Sequence, residues 1–295
     1  MRILVTGKDG QLGRSVQDLV TNTERNDNFV FVGRKELDLS SSANIDRYFA
    51  VNDKFDIIVN CAAYTAVDKA EEEQDLANQI NHLAVKQIAE IAAQTETKLI
   101  HISTDYVFNG NSRAPYVEVD KTDPINTYGK TKLAGEIIIQ KAMPTSATII
   151  RTSWVYSEYG NNFVKTMLRL GREKKEISVV SDQIGSPTYA ADLAKAILTI
   201  VHDSGYQSQE GTTKTYHYSN EGEVSWYELA KKIFSMSDID CLINPISTEQ
   251  YPTPAKRPNN TVMSKNKIAK TFGLKAIPWM QSLKRCLLNY SKQDF

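Results

Sequence analysis

The chain has 295 residues, with Lys plus Arg and Asp plus Glu both at 35, and is 41% hydrophobic and 24% charged. This is the balance of an ordinary globular protein long enough for one large core and a smaller appended one, and a net formal charge of zero supplies no basic field for nucleic acid or an anionic membrane. The first apolar run, Ile3-Leu4-Val5, is too short for a signal segment, and no stretch approaches the roughly 18 apolar residues of a membrane helix. Cys61, Cys241 and Cys286 have no Cys-x-x-Cys spacing, and the four histidines stand apart from any carboxylate or cysteine cluster. A cytoplasmic protein without a metal site, a nucleic-acid partner or a membrane partner is therefore expected.

In chain order, Arg2 to Thr6 reads as a short strand ending in Gly7-Lys-Asp-Gly10-Gln-Leu-Gly13, after which Val16, Leu19 and Val20 carry a helical period. Strand, glycine turn and helix together suit a dinucleotide. The glycines permit a tight turn and close approach to a pyrophosphate, whose charge rests at the helix amino terminus. The spacing is G-x-x-G-x-x-G, and such turns also occur where no nucleotide binds. A second strand, Phe29 to Val32, ends at Gly33-Arg34. At this position a carboxylate takes the 2′-hydroxyl of NAD and an arginine accommodates the 2′-phosphate of NADP. Arg34 thus favours NADPH, with NADH as the alternative because Glu36 and Asp38 are close by.

A helical stretch around Ile45 to Val51 precedes Phe55-Asp-Ile-Ile-Val59, an apolar run suited to a central parallel strand. Small residues in the following Asn60-Cys-Ala-Ala-Tyr64 leave room for a ribose at the sheet edge. Glu71, Glu72, Glu73 and Asp75 open the next helix and complement its dipole. Within it, Asn81 among Ile80, Leu83 and Val85 either faces the cofactor or is bonded locally. The strand Lys98 to Ile102 delivers Ser103-Thr104-Asp105, whose hydroxyls can donate to a carbonyl oxygen.

Tyr128-Gly-Lys-Thr-Lys132 begins 24 positions after Thr104. A tyrosine and a lysine four apart share one helix face with a rise of about 6 Å, and an adjacent ammonium lowers a phenol's pKa from about 10 towards neutrality. Pro124 and Asn126 before the helix and Pro144 after it mark its limits. Thr148 to Arg151 is a further strand, followed by Trp154 and Tyr156; Trp154 suits stacking on a hexose, with core burial as the alternative. Asn161-Asn162-Phe163 begins a helix, and His217 to Asn220 followed by Trp226 reads as a strand and helix returning to the sheet. Lys256-Arg257 beside Pro258 suits a diphosphate, or is a solvated loop pair.

These elements predict an α/β doubly wound parallel sheet of the Rossmann kind with a smaller C-terminal α/β substrate-binding domain. With G-K-D-G-Q-L-G at 7 to 13, N-C-A-A-Y-T-A-V-D-K-A-E at 60 to 71, S-T-D-Y-V-F at 103 to 108 and Y-G-K-T-K-L-A-G-E at 128 to 136, the chain resembles the extended short-chain dehydrogenase/reductase family. R-T-S-W-V-Y at 151 to 156, G-N-N-F-V-K-T-M at 160 to 167, D-Q-I-G-S-P-T at 182 to 188 and Y-P-T-P-A-K-R-P at 251 to 258 narrow the resemblance to its reductases of dTDP-linked keto-deoxy sugars, over nearly the whole length.

The resemblance implies that Thr104, Tyr128 and Lys132 are catalytic in reducing the C4 ketone of dTDP-4-dehydro-6-deoxy-L-mannose to dTDP-L-rhamnose. It assigns Gly7, Gly10, Gln11, Leu12 and Gly13 to the pyrophosphate, Asp38 and Leu39 to the adenine, and Ala62, Ala63 and Thr65 to the riboses. Val67, Thr104, Asp105, Trp154 and Arg257 fall to the substrate. Residues 1–153 with 213–237 would form the dinucleotide domain, and 154–212 with 238–295 the sugar-nucleotide domain.

Two other activities share this framework. A sugar-nucleotide dehydratase or epimerase of the same fold is one, although dehydratases of this family usually place Asp-Glu after the threonine, where this chain has Asp105-Tyr106. A non-catalytic NADP-binding subunit like the regulatory subunit of methionine adenosyltransferase is the other; retention of Thr104, Tyr128 and Lys132 speaks against it. Some related reductases dimerise around magnesium held by glutamates near the carboxyl terminus. The tail Asn289 to Phe295 has no glutamate, which points to a monomer or a metal-free homodimer.

Overall fold

The structure, a computed structural model, describes residues 1–21, 26–208 and 212–293. Asp294 and Phe295, the end of the glutamate-free tail, lie outside the described residues. Five strands, β1 (Arg2–Thr6), β2 (Asn28–Val32), β3 (Ile57–Asn60), β4 (Lys98–Thr104) and β5 (Ala147–Thr152), form a parallel sheet in the order β2-β1-β3-β4-β5. A sixth parallel strand, Lys214–His217, adds to the outer edge of β5.

The apolar runs are continuous because both faces of the sheet are covered. Ile3, Val5, Ile57, Val59, Ile100 and Ile150 enter one core, while Leu4, Ile58, Leu99 and Ile149 enter the other. That is the two-residue alternation of a pleated strand. Helices α1 (Gln11–Thr21), α2 (Ser42–Val51), α3 (Gln74–Asn78), α4 (Ala84–Gln94), α5 (Thr127–Ala142), α6 (Phe163–Glu173) and α7 (Ala190–Val201) connect or flank the strands. Side-chain oxygens of Asn126 and Asn162 cap α5 and α6 by accepting from the backbone N–H groups of Gly129 and Lys165. A π-helical turn at Gln79–Leu83 joins α3 to α4.

A smaller lobe has its own apolar cluster, built from α6, the helix Trp226–Met236, the C-terminal helix Trp279–Gln293 and the parallel pair Glu176–Val180 with Leu242–Ile246. Two helices depart from the expected division at 154, 212 and 237. Helix α7 belongs with the large sheet: Leu193, Ile197 and Ile200 are fully buried against β1 and β3, and the helix packs on α1. The helix Trp226–Met236, expected to return to the sheet, instead packs on α6 and the small pair of strands through Leu229, Ile233 and Phe234. The apolar face of each helix follows the available surface rather than chain order. Among the described residues, no helix is long and apolar enough to cross a membrane.

Helix α5 is docked by polar groups as well as apolar ones. Glu136 accepts from Arg151 Nε and Nη2 at 3.0 and 2.7 Å and from the Ser103 hydroxyl, with the carboxylate and guanidinium almost completely buried. Glu136→Gln would leave the Arg151 charge without its counter-ion, an expected loss of about 3–5 kcal/mol in unfolding free energy measured by urea denaturation. Replacing both partners by apolar residues of similar volume should destabilise much less; equal losses would show that the pairing is not what holds the helix.

Candidate active site

A single cavity of about 970 Å³ runs along the carboxyl ends of β1 to β5 and beneath the smaller lobe. At one end is the glycine turn. Gly7 adopts φ +73°, and a Cβ built on Gly13 would lie 2.2 Å from the Gly7 carbonyl oxygen. Only hydrogen fits there, so the turn stays tight and presents its backbone at the start of α1. The packing of this cradle fits a dinucleotide pyrophosphate.

Gly7, Gly10, Gln11, Leu12, Gly13, Arg34, Asp38, Leu39, Ala62, Ala63 and Thr65 all line this cavity. Gln11 and Leu12 have other tasks for their side chains. The Gln11 amide donates to the Val155 carbonyl and accepts from Ser157 and Asn162, tying α1 to the smaller lobe. Leu12 is buried in the core. What these two residues offer a ligand is therefore their backbone. Arg34 is 77% exposed, with Nε 3.6 Å from Asp38 Oδ1. The Ser40 hydroxyl beside Asp38 holds that carboxyl below its usual range, so it remains ionised.

At the opposite side of the cavity Val67, Thr104, Asp105, Tyr128, Lys132 and Trp154 come together. Gly129 lets the first turn of α5 press against β4's extension, since a Cβ there would stand 2.2 Å from the Tyr106 carbonyl oxygen. Thr104 and Tyr128 line the same end of the cavity, with the Thr104 hydroxyl near enough to favour the ionised phenol. Burial pushes the Tyr128 phenol up to about 12, with the Thr104 contact opposing it. Lys132 was expected to lower this phenol. Its ammonium instead donates to the Ile102 carbonyl at 2.7 Å and faces His101 Nε2 at 3.2 Å. Burial brings Lys132 down to about 8, partly offset by Glu136. His101 is driven well below its usual range by burial and by Lys132, so it is neutral. A buried polar chain continues from His101 Nδ1 to Asn60 at 3.1 Å and from Asn60 to Thr6 at 2.6 Å, crossing the sheet under the site.

Two expected ligand residues do not line the cavity. Asn81, in the π-helical turn, is fully buried and bonded locally: it accepts from Tyr64 N and donates to Tyr64 O, fixing the loop after β3. Arg257 forks onto Asp68, with Nη1–Oδ1 3.0 Å and Nη2–Oδ2 2.6 Å, instead of presenting a free guanidinium to a diphosphate. Glu71 also differs from expectation. Its carboxylate takes hydrogen bonds from the Thr127 N–H and hydroxyl, at the start of α5 rather than of its own helix.

The sequence reading missed Trp226, which stacks on Trp154 with ring centroids 3.4 Å apart and planes 9° from parallel. Trp154 itself has φ +48°, and its indole fills the space that a side chain at Gly185 would need. Ser225 and Glu228 form the capping box of the helix that Trp226 opens, which places Trp226 at a helix start, but its contact with Trp154 has no local signature. His101, Glu136 and Arg151 were likewise missed, although Lys132 and Glu136 share the face of Tyr128 at a spacing of four.

The family model for the RmlD substrate binding domain matches residues 1–292. The dTDP-4-dehydrorhamnose reductase of Sinorhizobium fredii is 41% identical over 290 residues, covering 97% of this chain and 96% of its own. The chain belongs to the dTDP-4-dehydrorhamnose reductase (RmlD) family. The solved dTDP-4-dehydrorhamnose reductase of Clostridium acetobutylicum superposes with a TM-score of 0.91 at 38% identity, covering 99% of this chain and 100% of that one. That of Bacillus anthracis, solved in complex with NADP, gives 0.88 at 40% identity and covers 98% and 99%. The RmlD family thus accounts for both lobes, and the cavity lies between them.

If the glycine turn holds a dinucleotide in this RmlD-family chain, Gly13→Ala must displace the Gly7 backbone and weaken it. We expect the affinity for NADPH, followed by its fluorescence, to fall by at least about tenfold. An unchanged affinity would remove the turn from the cofactor site.

Proposed function

We propose that the chain reduces the C4 ketone of dTDP-4-dehydro-6-deoxy-L-mannose to dTDP-L-rhamnose, with NADPH preferred over NADH. The observation that carries this is the meeting of Thr104, Tyr128 and Lys132 in the same cavity as the glycine turn and Trp154. The cofactor would lie on Gly7, Gly10, Gly13, Asp38, Leu39, Ala62, Ala63 and Thr65. Bound there in reduced form, it supplies hydride to the ketone carbon. Tyr128 protonates the oxygen. A phenol pushed up to about 12 keeps its hydrogen at neutral pH, which suits a donor in the reducing direction. Thr104 hydrogen-bonds the same oxygen, and Lys132 positions ribose hydroxyls. Trp154 offers its indole to the hexose.

Arg34 supports NADPH because its guanidinium is exposed and only loosely paired, free to meet a 2′-phosphate. We assign the cofactor to the large-sheet lobe and the sugar nucleotide to the smaller one. The enzyme acts in the cytoplasm, in keeping with three unpaired cysteines, as a monomer or a metal-free homodimer. Among the described residues, no group of three His, Cys, Asp or Glu side chains is placed to hold a metal.

The test is nicotinamide oxidation by purified protein, with the keto sugar nucleotide generated from dTDP-glucose by the two preceding enzymes. dTDP-rhamnose should accumulate as cofactor is consumed; cofactor binding without turnover would sink the reading. Tyr128→Phe should lower kcat by about 10²–10⁴-fold while leaving NADPH affinity within about twofold. Arg34→Ala should raise the KM for NADPH by about tenfold and leave that for NADH unaltered.

A further inference from the structure

Taking the reductase reading as given, the Thr104 hydroxyl has more partners than it can serve. A threonine hydroxyl has one hydrogen and two lone pairs. Thr104 Oγ1 lies 3.0 Å from Asp105 Oδ1 and accepts from the Tyr106 N–H at 3.2 Å, and the substrate ketone beside Tyr128 would be its third partner. An ionised Asp105 can only accept, so it takes the one hydrogen of Thr104. Thr104 then has nothing to donate to a ketone, and a negative charge stands beside the oxygen on which an alkoxide must form. A hydrogen on Asp105 Oδ1 reverses the arrangement. The carboxyl donates to the remaining lone pair of Thr104, and the Thr104 hydrogen is released.

We propose that Asp105 works as a neutral carboxyl group that donates to Thr104 and thereby turns the Thr104 hydroxyl, alongside Tyr128, towards the substrate ketone. Asp105 is a positioning residue in this role and exchanges no proton during turnover. Hydride and proton still come from the nicotinamide and Tyr128, so the reduction balances without it.

Its surroundings favour the neutral form. Asp105 is 2% exposed, and its Oδ2 is buried without a hydrogen-bond partner among the described residues. A negative charge spread onto that oxygen would have no donor within hydrogen-bond distance, although the Thr261 and Thr104 hydroxyls and the Asp105 and Tyr106 N–H groups favour the carboxylate as a whole. No cation is paired with Asp105 among the described residues. The titratable groups facing it are Tyr106 and Tyr128, with Thr261 approaching from the C-terminal segment and the Asp68–Arg257 pair standing beyond Tyr106. Burial raises the carboxyl to about 6, with the Thr261 and Thr104 hydroxyls opposing. The sign follows from a folded-state value raised above the ordinary 3.8: the linked stability is complete below that ordinary value and is lost as pH rises through about 6. Lys132, near 8, and Tyr128, near 12, titrate outside this window.

The experiment compares kcat against pH for the wild type, Asp105→Asn, Thr104→Val and the double variant, with folding checked by NADPH binding. Asparagine keeps a donor towards Thr104 at every pH. Wild-type kcat should fall by up to about tenfold per unit on the alkaline side of the Asp105 transition, and Asp105→Asn should abolish that limb. In the Thr104→Val background, adding Asp105→Asn should change the profile no further. A limb that survives in Asp105→Asn, with kcat merely lowered at all pH values, overturns the proposal.

Infrared spectroscopy gives a second readout that needs no turnover. The wild type minus Asp105→Asn difference should contain the carbonyl band of a neutral carboxyl group at about pH 5, fading as pH rises through about 6. Absence of the band overturns the proposal whatever the activity. A titrating band in a protein that reduces no keto sugar supports the neutral Asp105 and overturns the reductase reading instead.

Discussion

The site depends on how α5 is fixed to the sheet. Tyr128, Lys132 and Glu136 recur every four residues and share a face, and that face is turned inward despite its two charges. Lys132 and Glu136 are each 1% exposed. Buried charges of this kind tolerate few orientations, because rotation of the helix would strand an ammonium or a carboxylate in an apolar layer. Arg151 and Ser103 hold Glu136, while Ile102 and His101 hold Lys132. With two turns of the helix locked in this way, Tyr128 can point only into the cavity. The polar groups contribute direction, and the apolar layer of α4 and α5 contributes most of the adhesion.

Burial then sets the protonation states that the chemistry needs. In water, an ammonium four residues from a phenol would be the main influence on it. Here removal of solvent is the largest influence on each group: the phenol rises, the ammonium falls, and the Asp105 carboxyl rises. All three shifts favour the form with less charge. A reductase gains from this, since a tyrosine that retains its hydrogen is a donor, and below about pH 6 a neutral Asp105 carboxyl adds a second donor through Thr104.

Much of this was legible in the sequence because it is written locally. The glycine turn, the alternation along Ile3-Leu4-Val5 and Ile57-Ile58-Val59, and the capping residues Asn126 and Asn162 all act within a few positions of themselves. The side chains with unforeseen partners share another character. Arg257 reads as a free cation until Asp68, 189 residues away, is brought against it. Asn81 reads as a candidate ligand until the loop at Tyr64 closes on both ends of its amide. Helix α7 follows the smaller lobe's first elements in the chain, yet its apolar face matches α1. Composition reveals that such a group needs a partner, but the partner's identity is a property of the fold.

The loop after β3 shows why those long-range partners matter to the site. Ala62, Ala63, Thr65 and Val67 line the cavity along this loop, yet small side chains alone cannot hold it in place. Asn81 secures it at Tyr64, Glu73 accepts from the Tyr64 hydroxyl, and Arg257 secures it at Asp68. The last of these arrives on the C-terminal segment that also brings Thr261 to Asp105. One segment therefore braces the cofactor-side loop and approaches Asp105. Arg257, assigned at first to the diphosphate, is joined here to Asp68, so the guanidinium braces the loop whose neighbouring Val67 lines the cavity.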